Sequence, residues 1–215
     1  MCDHLALRPY RVADGLNLAI ACQQHFFGRA EDGWRANEWP FCDAIAAQNQ
    51  AAALAFHTLP GGMPCAWSIM ERPTGTADAP IEESVRRSRR SRSPVGVIAA
   101  TLYDSTTRSA LLGTYIIPEK RGLAFQREAK VLLFAKLGQW IDEFYCLVAP
   151  TNESSLRGLR KIAPAEWLAP DAPLPPNIEQ ERRMMGGHAV AVRIVPAHAS
   201  PASPGSPGTP PGARV

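Results

Sequence analysis

Apolar and polar residues along this chain change period several times, and each change marks an element. Leu5-Ala6-Leu7-Arg8, ending at Pro9, alternates and predicts a short first strand. Leu16, Ala19, Ile20 and Gln23 fall at helical spacing, predicting a helix from Gly15 to Phe27 with Asp14 as N-cap and Gly28 as stop. A turn-rich patch with Trp34 and Trp39 follows. An alanine-rich run then predicts a second helix from about Phe41 to His57, broken by Pro60-Gly61-Gly62. From Cys65 the period is two, so Ala66–Met70, Val95–Leu102 and Ala110–Ile117 read as strands. Asp104-Ser105-Thr106-Thr107-Arg108 joins the last two with turn chemistry, as a hairpin.

The later half is dominated by one strong helical pattern. Phe125, Ala129, Leu132, Leu133, Leu137, Trp140 and Ile141 form an apolar stripe, with Arg127, Lys130 and Gln139 on other faces, predicting a helix from Leu123 to Asp142. Glu143–Val148 reads as the next strand, and Pro150-Thr151-Asn152 leads into a short helix from Glu153 to Ile162. Residues 163–177 are punctuated by prolines, and His188–Val195 reads as a closing strand. The strands and helices alternate as in a mixed α/β domain over residues 1–195. Residues 196–215 are almost wholly Pro, Ala, Ser, Gly and Thr, which cannot bury a core and predict a disordered tail. Residues 73–93 are too long for a hairpin loop and predict a mobile basic insertion.

Charge changes the picture only locally. The net charge is +3, but five positive charges belong to Arg86, Arg87, Arg89, Arg90 and Arg92, leaving the rest at −2. No aromatic residue interleaves that run, so a solvated, flexible hairpin tip in an arginine-biased chain is preferred over a nucleic-acid partner, and an acidic protein partner is the remaining option. No stretch reaches the roughly 20 apolar residues of a membrane span. The Met1-Cys2-Asp3-His4 start lacks a secretory layout, so the expected location is cytoplasmic. The five cysteines show no C-x-x-C pairing, and Cys22 with His25 would need two further ligands, so no metal is expected.

Candidate chemistry gathers at Ile116-Ile117-Pro118-Glu119-Lys120-Arg121-Gly122-Leu123-Ala124, where a strand end, a basic turn and a helix start meet. Free N–H groups and the positive end of the helix dipole make that an anion site, with Lys120 and Arg121 adding charge, and a pyrophosphate is the natural guest. About thirty residues on, a second strand leads through Asn152 to a helix start bearing Ser155. If the two strands are parallel neighbours, a long ligand fits between them, its anionic end at the first helix.

The order of these pieces resembles the GNAT superfamily of acyl-CoA-dependent N-acyltransferases. Leu7-Arg8-Pro9 with Asp14 is similar to the family's opening, Tyr115 to Gly122 to its pyrophosphate turn, and Asn152-Glu153-Ser154-Ser155-Leu156-Arg157 with Lys161 to its pantetheine-contacting helix. The resemblance implies a mixed central sheet splayed between the strands ending near Ile117 and Val148, with helices on both faces. It implies acetyl-CoA as co-substrate and direct transfer to an amine acceptor. It also places Ile116, Ile117, Lys120, Arg121, Gly122, Leu123, Ala124, Asn152 and Ser155 at the cofactor, with Glu119 and Tyr115 as candidate catalytic groups. Glu71, Asp104 and His188 are further candidates for the base, and a backbone N–H at a bulged strand end near Ile116 is the candidate for polarising the carbonyl. Three positions depart from the family's pattern: Ala124 stands where glycine is usual, Gln126 where a small residue is, and Leu159 where relatives often carry an acid tyrosine. These departures, the basic insertion and the tail suit a second reading, a catalytically inactive GNAT-like component of a larger assembly. Its protein partner would engage the Arg86–Arg92 loop or the tail.

Overall fold

The computed structural model describes residues 4–15, 17–18, 58–72, 93–162 and 165–196. The two early helices, the insertion, the tail and the Cys22–His25 pair lie wholly or mostly outside them.

The strands are β1 (Leu5–Pro9), β2 (Thr58–Leu59), β3 (Met63–Pro64), β4 (Ala66–Glu71), β5 (Gly96–Asp104), β6 (Ser109–Ile116), β7 (Glu143–Val148), β8 (Ala165–Trp167) and β9 (Val190–Ile194). The helices described in full are α1 (Phe125–Leu137), α2 (Glu153–Leu159) and α3 (Pro176–Met184). Seven strands form one mixed sheet in the order β1-β4-β5-β6-β7-β9-β8, and β2 and β3 form a separate small hairpin. Only β6 and β7 are parallel neighbours; every other pairing in that sheet is antiparallel. Successive strand residues point to opposite faces. Gly96 to Ala100 are all buried, so at β5 the sheet is covered on both sides.

The interior explains why the N-terminal strand stays docked. Glu128 of α1 is buried, and its Oε1 accepts the backbone N–H groups of His4 (3.0 Å) and Leu5 (2.9 Å). Bonds to an ionised acceptor are each worth roughly 1.5–3 kcal/mol. Asp14 ties the other end, accepting from Arg8 Nη2 (2.7 Å), Arg11 N–H (3.1 Å) and the Ser68 hydroxyl. Residues 12–15 are already helical. Asp14 is therefore not the N-cap but lies within the first turn, reaching back to the N–H of Arg11 as the carboxylate half of a capping box. Phe134 of α1 and Phe144 of β7 meet at a centroid distance of 4.8 Å, joining helix to sheet.

Some expectations shift. The long helix begins at Phe125 rather than Leu123 and ends at Leu137. Gly138 follows, and Trp140 and Ile141 donate N–H groups to the Leu137 carbonyl in a turn. Lys130, expected on a polar face, is only 2% exposed. The second helix stops at Leu159, and the last strand begins at Val190. The proline-punctuated stretch holds β8 and opens α3, because Pro175 and Pro176 sit at a helix start, where a missing N–H costs nothing. Among the described residues, no helix is long and apolar enough to cross a membrane, and no group of three His, Cys, Asp or Glu could hold a metal ion.

Candidate functional site

The site begins with a parting of strands. β6 and β7 pair only at Ser109↔Glu143, Ala110↔Phe144 and Leu111↔Tyr145. Beyond Leu111, β6 continues to Ile116 against β5, while β7 continues to Val148 against β9. The two strands therefore diverge toward their C-terminal ends. Ile117 N–H donates to the Val95 carbonyl (2.9 Å), continuing the ladder in which Ile116 faces Gly96. Alternation then turns the backbone groups of Thr114 and Ile116 away from β5, onto the free edge. Glycine is needed at 96, where a Cβ would lie 2.2 Å from the Tyr115 carbonyl oxygen. The register is continuous through Ile116; the irregularity in this hairpin lies between Thr101 and Asp104 instead, with Leu102 at φ 50°.

Past the strand end, the chain makes a single 3-10 turn over Pro118–Lys120 and enters α1. Gly122 and Ala124 both have left-handed backbones, at φ 82° and 62°. Alanine pays roughly 1 kcal/mol for that conformation, so the loop keeps its shape without the usual glycine. Among the described residues, nothing accepts from the backbone N–H groups of residues 122–126. Unpaired amides at a helix start are a nest of the kind that can take an anion, and of these residues Gly122, Ala124, Phe125 and Gln126 line a cleft while Leu123 does not.

The nest opens into a cleft of about 450 Å³, within the usual range for a small-molecule site. Its walls include Thr114, Tyr115 and Ile116 of β6, the turn residues Lys120, Arg121, Gly122 and Ala124, and Asn152, Ser155, Arg157, Gly158 and Lys161 of α2 and its flanks. Five lining residues are cationic (Lys120, Arg121, Arg127, Arg157 and Lys161) and none is acidic. Gln126 reaches across from α1: a Cβ placed on Gly158 would stand 2.5 Å from its Oε1. It therefore forms a wall of the cleft and leaves the space beside it open.

The structure brings Tyr115, Ile116, Lys120, Arg121, Gly122, Ala124, Asn152 and Ser155 to this cleft. Ile117 packs against the core, Leu123 is 54% exposed, and Glu119 is exposed on the turn; none of these three lines it. Lys120 Nζ is 2.7 Å from Glu71 Oε2, and Arg121 Nε donates to the Ile116 carbonyl (3.1 Å) with its guanidinium 5.7 Å from the Tyr115 ring centroid. Asn152 serves as N-cap of α2, its Oδ1 accepting from Ser155 N–H (3.2 Å), while still lining the cleft.

The other candidates separate by position. Asp104 pairs with Ser109, seven residues along β6 from Ile116 and so about 24 Å away. Its carboxylate accepts from Thr106 and Thr107 N–H groups, which hold its pKa below the usual value. It closes a turn at the far end of the sheet. Glu71 ends β4 on the cleft side, and His188 precedes Val190, which faces Val148. Tyr145 donates to Glu143 Oε2 (2.6 Å) in a network with Arg193, and burial and that carboxylate push its phenol up to about 12. Leu159 is 2% exposed, within the core. Sequence reasoning underused Arg127, Arg157 and Lys161; the i, i+4 spacing of the last two after the second strand was the available signal.

No known family model matches the chain, and no curated protein matches it in sequence. Solved structures similar to it include several acetyltransferases. The microcin C7 self-immunity acetyltransferase MccE, in complex with acetyl-CoA and AMP, is similar at a TM-score of 0.58 and 11% identity, over 90% of this chain and 93% of that one. A putative ribosomal-protein-serine acetyltransferase from Vibrio cholerae gives 0.54 and 18%, over 90% and 95%. A GNAT-family acetyltransferase from Bacillus anthracis gives 0.51 and 12%, over 90% and 95%. The chain has the GNAT acetyltransferase fold: an α+β domain on a mixed seven-stranded sheet.

Proposed function

We propose that this chain is an acyl-CoA-dependent N-acyltransferase, moving an acetyl group from acetyl-CoA to an amine by direct attack in a ternary complex. The observation that carries this reading is the nest of unpaired amides at residues 122–126, opening into a cationic cleft between two diverging parallel strands. The nest receives the diphosphate. The pantetheine arm lies along the free edge of β6, where the Thr114 backbone groups and the Ile116 N–H pair with its amides as a neighbouring strand would, the Ile116 carbonyl being held by Arg121 Nε. The amine nitrogen attacks the thioester carbonyl, forming the C–N bond as the C–S bond breaks. Glu119 lies on the turn outside the cleft lining, so it takes the ammonium proton through water, and the buried Tyr115 hydroxyl must turn toward the cleft to protonate the departing thiolate.

The test is thiol release from acetyl-CoA by the full chain against a panel of small amines and peptide N-termini, beside calorimetry. Acceptor-dependent release is expected, and Tyr115→Phe should slow it roughly 10–100-fold without changing CoA affinity. Absence of binding at millimolar acetyl-CoA would remove the enzyme reading. One observation favours a second reading, an assembly component that binds a partner instead: Leu159 is buried where a general acid often stands, and leucine has no proton to give. That reading predicts cofactor-independent co-purification with a protein partner, lost on deleting residues 78–93 or 196–215.

A further inference from the structure

Gly113 lies inside β6, the middle strand of the seven-stranded sheet. Glycine in a strand interior weakens it, and marks a bulge, a tight bend or a place where a ligand or another backbone comes close. The ladder with β5 is unshifted here, with Gly113 opposite Ala99, so there is no bulge. Its backbone is not left-handed, and among the described residues a Cβ at 113 would meet nothing within 4 Å. Gly96, by contrast, is required by the carbonyl oxygen beside it. At 113 neither the backbone nor the packing asks for glycine, and the close approach of a ligand is the reason that remains.

Alternation puts Gly113 with Leu111 and Tyr115 on the face of the sheet away from α1. The helix covers the other face, where Phe134 meets Phe144 and Phe144 pairs with Ala110. Gly113 is exposed although its strand is central, and Thr101, Leu111 and Leu147 on the same face are half-buried. Leu111 pairs with Tyr145 just before the strands part, so Leu147 stands across the gap from Gly113. The bare backbone is therefore an apolar floor at the edge of the gap that takes the pantetheine arm. Arg193, one row away opposite Tyr145, is already paired with Glu143 and Glu166.

We propose that Gly113 determines acceptor specificity: its bare backbone is the floor on which a primary amine with a flat apolar body, such as an aromatic ring, lies while its nitrogen reaches the thioester through the strand gap. This inference rests on the acyl-CoA reading above and names the acceptor class. The bonds made and broken are those of the transfer already given. Leu111 and Leu147 take the edges of the ring out of water. A diamine would set its second ammonium against the same apolar walls, losing hydration without gaining a partner.

The experiment is steady-state thiol release from acetyl-CoA by the full chain with 2-phenylethylamine and with putrescine, repeated on Gly113→Val and Gly113→Ala, beside calorimetry with CoA. The wild-type chain is expected to favour 2-phenylethylamine at least about tenfold in kcat/KM. Valine adds branched carbon to the floor and should cut kcat/KM for that amine at least about tenfold, chiefly through KM, with alanine in between. Both variants should hold CoA within about twofold of the parent. Neither should melt lower, because both side chains suit a strand better than glycine does. Equal kcat/KM for the two amines, or for the parent and the valine variant, overturns the proposal. So does a valine variant that loses CoA affinity in step with activity, and so does CoA binding with turnover of neither amine. Failure of CoA to bind at millimolar concentration instead overturns the acyl-CoA reading on which it rests.

Discussion

Gly158→Leu is expected to weaken acetyl-CoA binding roughly 100-fold or more, the equivalent of about 3 kcal/mol, while leaving the domain folded. A Cβ at this position already stands 2.5 Å from Gln126 Oε1. That oxygen is the far end of a flexible side chain, so alanine is accommodated by swinging Gln126 aside. Leucine adds branched carbon at the same point between Gln126 and α2, and both residues line the cleft, so the added carbon takes up cleft space. Gly158 lies inside α2, where leucine is the better helix former by up to about 1 kcal/mol. The variant should therefore lose ligand without losing thermal stability. Equal loss of both would mean that the glycine serves packing rather than access.

The second large effect concerns stability. Lys130 is 2% exposed, and among the described residues no carboxylate pairs with it. Burial pushes its ammonium down from 10.5 to about 8, and the nearby Cys146 opposes this only in part. A fall of that size corresponds to about 3 kcal/mol of penalty on the charged form. Between about pH 8 and 10.5 the unfolded chain holds a proton that the folded chain has released, so stability from this group rises with pH there. Below about pH 8 the penalty is fully present. Lys130→Met keeps the volume and removes the charge, and should raise the melting temperature at pH 7 by roughly 6–12 °C. The gain should shrink as pH rises through the window. Cys146, pushed up to about 11 by burial, acts oppositely above about pH 9, so the difference between the two proteins carries the effect rather than either curve alone. A variant no more stable than the parent at pH 7 would show that the lysine has a counter-charge.

Much of the fold was legible because its signals are local. The strands at Ala66–Met70, Ala110–Ile117 and Glu143–Val148 were carried by period-two patterns, and each was found within a residue or so of its expected bounds. The turn after Ile117 announced itself through Pro118 and Gly122. Other features depend on three-dimensional neighbours. The helical stripe did not distinguish Lys130 from Arg127, although one is buried and the other exposed, because burial was decided by what packs against that face. The α3 helix was hidden by its prolines, which read as breakers until their place at its start is known. The engagement of Lys120 by Glu71 joins residues 49 apart and had no sequence signal at all. The cleft was anticipated only conditionally, since strand parallelism is a property of the sheet order and not of either strand.

The central claim is that the amides of residues 122–126 grip a diphosphate, and an amide-resolved NMR titration with CoA addresses it directly. The account predicts large downfield shifts at those five amides and slowed hydrogen exchange there, together with protection along the free edge at Thr114 and Ile116. Saturable binding of CoA that leaves the five amides unmoved, with the changes clustered on another surface, would contradict it.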